Sequence, residues 1–429
     1  MVLLICMAIL CAVFFPQHQD AQAEQMYDYV LMADKTVMIV GYHGNDSEVE
    51  IPAELNGHTV WAIAEQAFSQ SYGMTRMHLP AGIQSIASGV FSFCENLTEF
   101  SVAEDNPVFQ AVDGVLFDKT QKRLHTFPAG KAAGVYEIPE GTREIGAFAF
   151  RMLSGTLDVM IPASVARIQD HAFSWGLGIR SIRVSDDNTA FASLDGVLFD
   201  KQLRRLMIYP AGRPDAIYHI PKGTRTVAGG AFQDSQYLKE VIIPEGVAAL
   251  EGDSIFSHSR SLKSVSLPGS LTAIGHYLFY ACSRLTHVSL PEGLTQIPPY
   301  MFAGCSSLKE IVLPDGLLAI GEGAFSGCDG LREIQLPDGL EEIGNSAFSN
   351  CRNIEGITLP EGIAAIGESA FSGCLGMLEI YLPQSIAGIG EDAFARCDSI
   401  VLWVEEGSLG QTYAMAHGIP YIIHPDWLK

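Results

Sequence analysis

Leucine, isoleucine and phenylalanine recur along this chain at fixed places, with polar residues at fixed places between them. In the stretch from Leu308 to Gly330, Leu308, Ile311 and Leu313 are spaced L-x-x-I-x-L, with Lys309, Glu310 and Val312 between them. Apolar residues alternating toward the end of so short a run predict a strand with one face inward. Pro314 lacks the N–H a ladder needs and Asp315-Gly316 suits a tight turn, so the strand should stop there. Leu317, Ile320, Ala324 and Phe325 then supply the inward residues of a return arm, irregular or briefly helical.

The phenylalanine of that arm returns at Phe68, Phe91, Phe150, Phe173, Phe232, Phe256, Phe279, Phe302, Phe325, Phe348, Phe371 and Phe394. From Phe256 onward every gap is 23 residues; the earlier gaps are 23, 59, 23, 59 and 24, and 59 is one period plus 36. A period of this size is the mark of a leucine-rich repeat solenoid, in which a unit that cannot bury its own apolar face stacks on its neighbours. The expected fold is therefore a solenoid over residues 61–404, about twelve coils, with a parallel β-sheet on one face. At a strand spacing of ~4.8 Å, the stacked strands would make one elongated domain with a sheet roughly 55 Å long.

The two 36-residue additions copy one another at an offset of 82 residues. "AEDNPVFQAVDGVLFDKTQKRLHTFPAGK" begins at Ala103 and "SDDNTAFASLDGVLFDKQLRRLMIYPAGR" at Ser185. Asp-Gly between alternating apolar runs is a hairpin signal, so β-hairpin insertions are expected near 103–138 and 185–220. Residues 24–60, strand-like with a turn near Gly44-Asn45, should cap one end. Residues 405–429, with a short helical run from Gly407 to His417, should cap the other and shield the edge strand. Residues 1–23 read as a secretory signal peptide: an apolar run from Val2 to Phe15, then Ala21-Gln22-Ala23 before Glu24, though with no basic residue ahead of the run. No later stretch is long and apolar enough to span a bilayer, so no membrane insertion is expected after cleavage.

With this frame in place, other residues resemble a known family, the BspA-like leucine-rich repeat proteins. The matching stretches are the repeated I-x-LPxGLxxIGxxAFxxC, the inserted "DN…DGVLFDK…L…YPAG", the opening "YDYV…VMIVGYHGN…VEIPAELNGHTVWAIAEQAF" and the closing "YAMAHGIPYI". The resemblance implies a secreted or cell-surface solenoid that binds proteins of a host or neighbouring cell, without enzyme activity. Departures are local: Ser259 stands in the cysteine slot, and Pro298-Pro299 replaces Gly-Glu.

Charge narrows the partners. Charged residues make up 17% and the net charge is −23, so nucleic acid and anionic membranes would be repelled. The expected partner is an extracellular-matrix or cell-surface protein. No Ser-His-acid set, phosphate loop, dinucleotide fingerprint or H-E-x-x-H motif appears, which argues against catalysis, a cofactor or a bound metal.

Three columns could carry chemistry. Cys282, Cys305, Cys328, Cys351, Cys374 and Cys397 recur with the period, and Cys94 holds the same slot. They read as buried thiols, with a disulfide ladder or a soft-metal wire as alternatives. Glu245, Glu292, Asp315, Asp338 and Glu361 follow the turn proline and read as a solvated edge, with calcium as the alternative. On the sheet face, Lys239, Lys263, Lys309 and Arg332 run beside Glu240, Glu310 and Glu333. Either neighbouring strands trade weak ion pairs, or the basic stripe docks an acidic partner. His287 lies in the second of these columns, and the fifth strand position varies most, with Gln335 and Tyr381 among its residues. Finally, Tyr277 and Tyr300 share a slot that holds Gly323 or Ser346 elsewhere, with Tyr280 nearby, a group of the kind found at interface hot spots. The reading is a protein-binding module acting in adhesion; a cell-envelope spacer is the rival.

Overall fold

The computed structural model describes residues 26–131, 134–153 and 155–423. The expected signal peptide and the last residues of the C-terminal cap lie outside the described residues. The chain falls into two compact units, Met1–Lys131 and Ala132–Lys429.

In the first unit the strands Tyr27–Leu31 and Val37–Tyr42 pair antiparallel, and the second of them runs parallel to His58–Ile63. The turn between the first two is made by Asp34, whose carboxylate accepts hydrogen bonds from the Thr36 N–H and hydroxyl, with Lys35 at φ 66°. At Gly44-Asn45, where a turn was expected, the chain is irregular from His43 to Asp46 and leads to the strand Glu48–Glu50. That strand opens a parallel ladder with Arg76–Leu79 and Glu99–Val102. The first insertion follows as a three-stranded antiparallel meander, Phe109–Val112, Val115–Asp118 and Arg123–Thr126.

The second unit repeats this scheme. Parallel ladders join Gly134–Glu137, Leu157–Ile161 and Ile179–Val184, then Ile217–His219 through His287–Ser289, then Glu379–Leu382, Val401–Val404 and Tyr421–Ile423. The second insertion is the meander Phe191–Leu194, Val197–Asp200 and Arg205–Ile208. Both hairpin turns have consecutive positive φ, Asp113 at 49° and Gly114 at 73°, Asp195 at 50° and Gly196 at 78°, the geometry that follows the right-handed twist of the flanking strands. The expected helix spans Leu409–His417, with Ser408 accepting the Gln411 N–H and Gly418, at φ 65°, closing the last turn.

Two features differ from expectation. The segments 308–313, 331–336 and 354–359 keep the inside-out alternation without pairing as strands: Leu308, Ile311 and Leu313 are buried while Lys309, Glu310 and Val312 are exposed. Conversely, the return arms carry a second parallel ladder, two residues per coil, ending on the inward aliphatic residue: Thr226–Val227, Ala249–Leu250 and Ala273–Ile274, then Gln296–Ile297 through Gly388–Ile389. The glycine that follows the last of these is a packing requirement: a Cβ on Gly390 would stand 2.2 Å from the Glu368 nitrogen of the coil before.

Inside, the phenylalanines stack. From Phe232 through Phe394, successive rings lie 5.0 to 5.6 Å apart and nearly parallel. Each is buried, and burial of such a ring contributes roughly 2–3 kcal/mol.

Candidate interaction surface

The cysteine column is interior. Cys94, Cys282, Cys305, Cys328, Cys351, Cys374 and Cys397 are free and buried. Each Sγ donates to a phenylalanine carbonyl 26 residues back, as Cys328 does to Phe302 at 3.1 Å and Cys351 to Phe325 at 3.0 Å. Ser259, in the same slot, makes the same bond to Phe232 at 2.7 Å. The slot is thus filled by a small donor that satisfies a buried carbonyl, as well as by a small apolar body. Burial pushes the thiols up, Cys94 and Cys328 to about 12, so they do not form thiolates near neutral pH.

The acidic edge shows no convergence. Glu245, Glu292, Asp315, Asp338 and Glu361 are exposed. Among the described residues, no group of three or more His, Cys, Asp or Glu side chains comes together as a metal site.

On the strand face, Lys239, Lys263, His287, Lys309, Arg332 and Gln335 are all exposed. Lys263 N–H bonds to the Lys239 carbonyl at 2.8 Å, which fixes the two side chains on adjacent coils. Among the described residues no ion pair joins this stripe to Glu240, Glu310 or Glu333; the ion pairs of the second unit lie elsewhere, for example Arg205 with Glu251 at 3.0 Å. Tyr381 is half-buried and its hydroxyl donates to Glu405 at 2.8 Å, close to the bond from Trp403 Nε1 to Glu379. It is held within the last coils, apart from the basic stripe.

The tyrosine group is brought together, and it is longer than its sequence suggested. Tyr277 and Tyr300 stack with ring centroids 4.8 Å apart and planes 1° from parallel. Tyr280 meets Tyr277 edge-on at 5.8 Å and His258 at 5.3 Å, and His258 in turn meets Trp175 at 5.6 Å. Five rings therefore form a continuous run, with Tyr280 exposed and the rest half-buried.

Backbone geometry sets this run. Each coil has two residues in the left-handed region, two before and two after its phenylalanine. Tyr277 and Tyr300, at φ 56° and 55°, occupy the first slot; Trp175 and His258, at 58° and 60°, occupy the second. The coils from Phe325 through Phe371 give these slots to Gly, Ser or Asn, which suits the left-handed region, where a large side chain costs of order 1 kcal/mol or more. Gly323 shows how the ring is accommodated: a Cβ there would meet Tyr300 Cε1 at 2.3 Å, so the ring lies over a glycine that leaves it room. The Tyr300 hydroxyl donates to Glu322, and that bond pushes its pKa up to about 12. Burial and Arg260 hold His258 below its usual range. Trp175 and His258 were legible only from their distance to Phe173 and Phe256, because the neighbouring coils hold no aromatic residue in that slot.

Comparison with known proteins places the fold. A model of the BspA type leucine-rich repeat region matches residues 48–130, 125–199, 217–317 and 295–404, more than half of the chain. Among solved structures, a leucine-rich repeat protein of Eubacterium ventriosum is similar at 24% identity and a TM-score of 0.58, over 82% of this chain and 93% of that one. Another, from Bacteroides ovatus, matches at 21% identity and a TM-score of 0.52, over 93% and 98%. Likeness at this identity concerns the fold. No curated protein matches the sequence. The stacked phenylalanines, the thiol-to-carbonyl column and the matched repeats together make this chain a member of the BspA-type leucine-rich repeat family.

Proposed function

We propose that this protein is secreted or displayed at a cell surface and acts there in adhesion, through the aromatic run formed by Trp175, His258, Tyr280, Tyr277 and Tyr300. The family's leucine-rich repeats support a role in protein interaction, and the run is the observation that carries the choice of surface. It places two left-handed tyrosines where the following coils have Gly323, Ser346 and Ser369. Aromatic side chains with a polar edge are enriched at interface hot spots, because they bury area while losing few rotamers. The exposed Lys239, Lys263, Lys309 and Arg332 supply a second contact that steers an acidic partner toward an otherwise acidic protein. The partner is an extracellular-matrix or cell-surface protein. The chemistry is recognition: the buried thiols have no thiolate, and the acidic edge has no convergence.

The test is binding of residues 24–429 to an array of matrix and cell-envelope proteins, beside a variant with Tyr277, Tyr280 and Tyr300 changed to Ser. Binding that the variant loses, by tenfold or more, supports adhesion through the run; one hot-spot residue alone is worth about 2 kcal/mol. Binding retained by the variant would move the site to the basic stripe, and no binding at all would favour a cell-envelope spacer.

A further inference from the structure

The second insertion opens a cavity that its sequence twin is equipped to close. In the second unit, the coil at Phe173 and the coil at Phe232 touch directly on the turn side, where Gln236 Nε2 donates to the Leu177 carbonyl at 3.2 Å. On the ladder side the third strand of the insertion comes between them: Arg205–Ile208 pairs with Thr226–Val227, while Arg167–Ile168 pairs with Glu144–Ile145 on its other side. The two coils are therefore splayed, and a cavity of about 470 Å³ lies in the wedge, within the size range of small-molecule sites.

Within the first unit, the matching position is plugged. His125, on the third strand of the first insertion, is buried and its Nε2 bonds to the carbonyl of Ile86, on the ladder strand Ser85–Ile86. Displaced by 82 residues, His125 corresponds to Met207 and Ile86 to Ile168. Methionine has no N–H to offer the Ile168 carbonyl. Ile168 is only half-buried, whereas Ile145 and Val227, the same residue on the coils around it, are fully buried.

The walls define the ligand. Ile168, Met207 and Ile208 line an apolar floor, and Asp170, Glu251 and Asp253 stand around it. Of these carboxylates, Glu251 is paired with Arg205 at 3.0 Å and Asp253 accepts the His276 N–H at 2.9 Å, while Asp170 is exposed. The nearby imidazole of His171 is stacked on Phe148 and bonded to Ser174. An apolar floor, an open carbonyl edge and a surplus of carboxylates together favour a group that donates hydrogen bonds and carries positive charge.

We propose that this cavity binds a small primary amine with an apolar body, the ammonium toward Asp170 and Asp253 and the apolar part against Ile168 and Met207. The site is independent of the aromatic surface assigned above.

Calorimetric titration of the full chain with tryptamine tests this, with indole-3-acetate as a ligand of the same ring and opposite charge. Tryptamine should bind one to one and indole-3-acetate at least tenfold more weakly. M207H, which restores the plug of the first insertion, should abolish the heat of binding. D170N combined with D253N keeps the hydrogen-bond acceptors of an exposed rim and should weaken tryptamine about tenfold, as for loss of a charge-assisted hydrogen bond. No binding of tryptamine at millimolar concentration overturns the proposal. So does equal affinity in the wild type and both variants, or equal affinity for the two ligands.

Discussion

Asn106 and Asn188 stand at the same place in the two insertions and make the same four hydrogen bonds. The amide of Asn106 donates to the Pro80 and Ile83 carbonyls, and its oxygen accepts the Val108 and Phe109 N–H groups. Asn188 repeats this with Pro162, Val165, Ala190 and Phe191. His125 and Met207 also stand at one place, yet only His125 bonds across to the preceding ladder strand. A side chain that satisfies four buried backbone groups has one chemical solution, so it is the same in both copies. A plug is needed only where the wedge is to be closed, so that position could diverge and become specific.

This comparison can be broken most directly at the shared residue. Asn106→Ala and Asn188→Ala should each cost about 4 kcal/mol in denaturant unfolding, because each leaves buried backbone donors and acceptors without partners. Losses differing by more than about 1 kcal/mol would show that the two hubs are not equivalent.

The divergent residue predicts a pH dependence in the first insertion alone. Burial lowers His125 from 6.5 to about 4, so the folded state resists protonation. Stability should be unaffected above pH 6.5 and should fall as pH drops from there to about 4, by about 3 kcal/mol at the lower end. His125→Met should remove this slope. Asp234 opposes it: burial raises its carboxyl from 3.8 to about 6, so its contribution is present at low pH and lost as pH rises through that window. Asp234→Asn is therefore the background in which the histidine effect is best read by pH-resolved denaturation.

Smaller effects separate slots that serve the fold from slots that depart from it. Gly323→Ala should cost about 2 kcal/mol, from the left-handed backbone and the collision with the Tyr300 ring. Tyr300→Ser in the same chain should recover part of that loss, since Ser346 and Ser369 already occupy this slot; a double-mutant cycle with no coupling would refute the packing argument. Cys328→Ser should change stability by less than about 1 kcal/mol and Cys328→Ala by somewhat more, because serine keeps the bond to the Phe302 carbonyl as Ser259 keeps its own.

What the sequence disclosed, and what it withheld, follows the same division. The period of Phe325 and Leu308, the Asp-Gly hairpins and the capped helix were readable, because each depends on local chemistry or on burial repeated at a fixed interval. The loss of strand pairing at 308–313 was not, since side-chain alternation reports which face is buried and leaves backbone partners open. The return-arm ladder was hidden in two residues per coil, too short for any alternation. The cysteine slot read as small and apolar, and only the placement of the Phe302 carbonyl reveals the thiol as a donor. Of the candidate surface, Tyr277, Tyr280 and Tyr300 could be grouped by their shared period. Trp175 and His258 are separated by an insertion, so their meeting needed the stack itself.

The central claim is that regular slots build the solenoid and departures from them make the contacts. It is tested by measuring unfolding free energy and partner affinity on two variants, Phe325→Leu and the Tyr277, Tyr280 and Tyr300 to Ser triple, using the strongest binder from the array. The account predicts that Phe325→Leu loses about 1–2 kcal/mol of stability and keeps its affinity, while the triple keeps its stability and loses affinity at least tenfold. Affinity lost with Phe325→Leu and retained by the triple would contradict it.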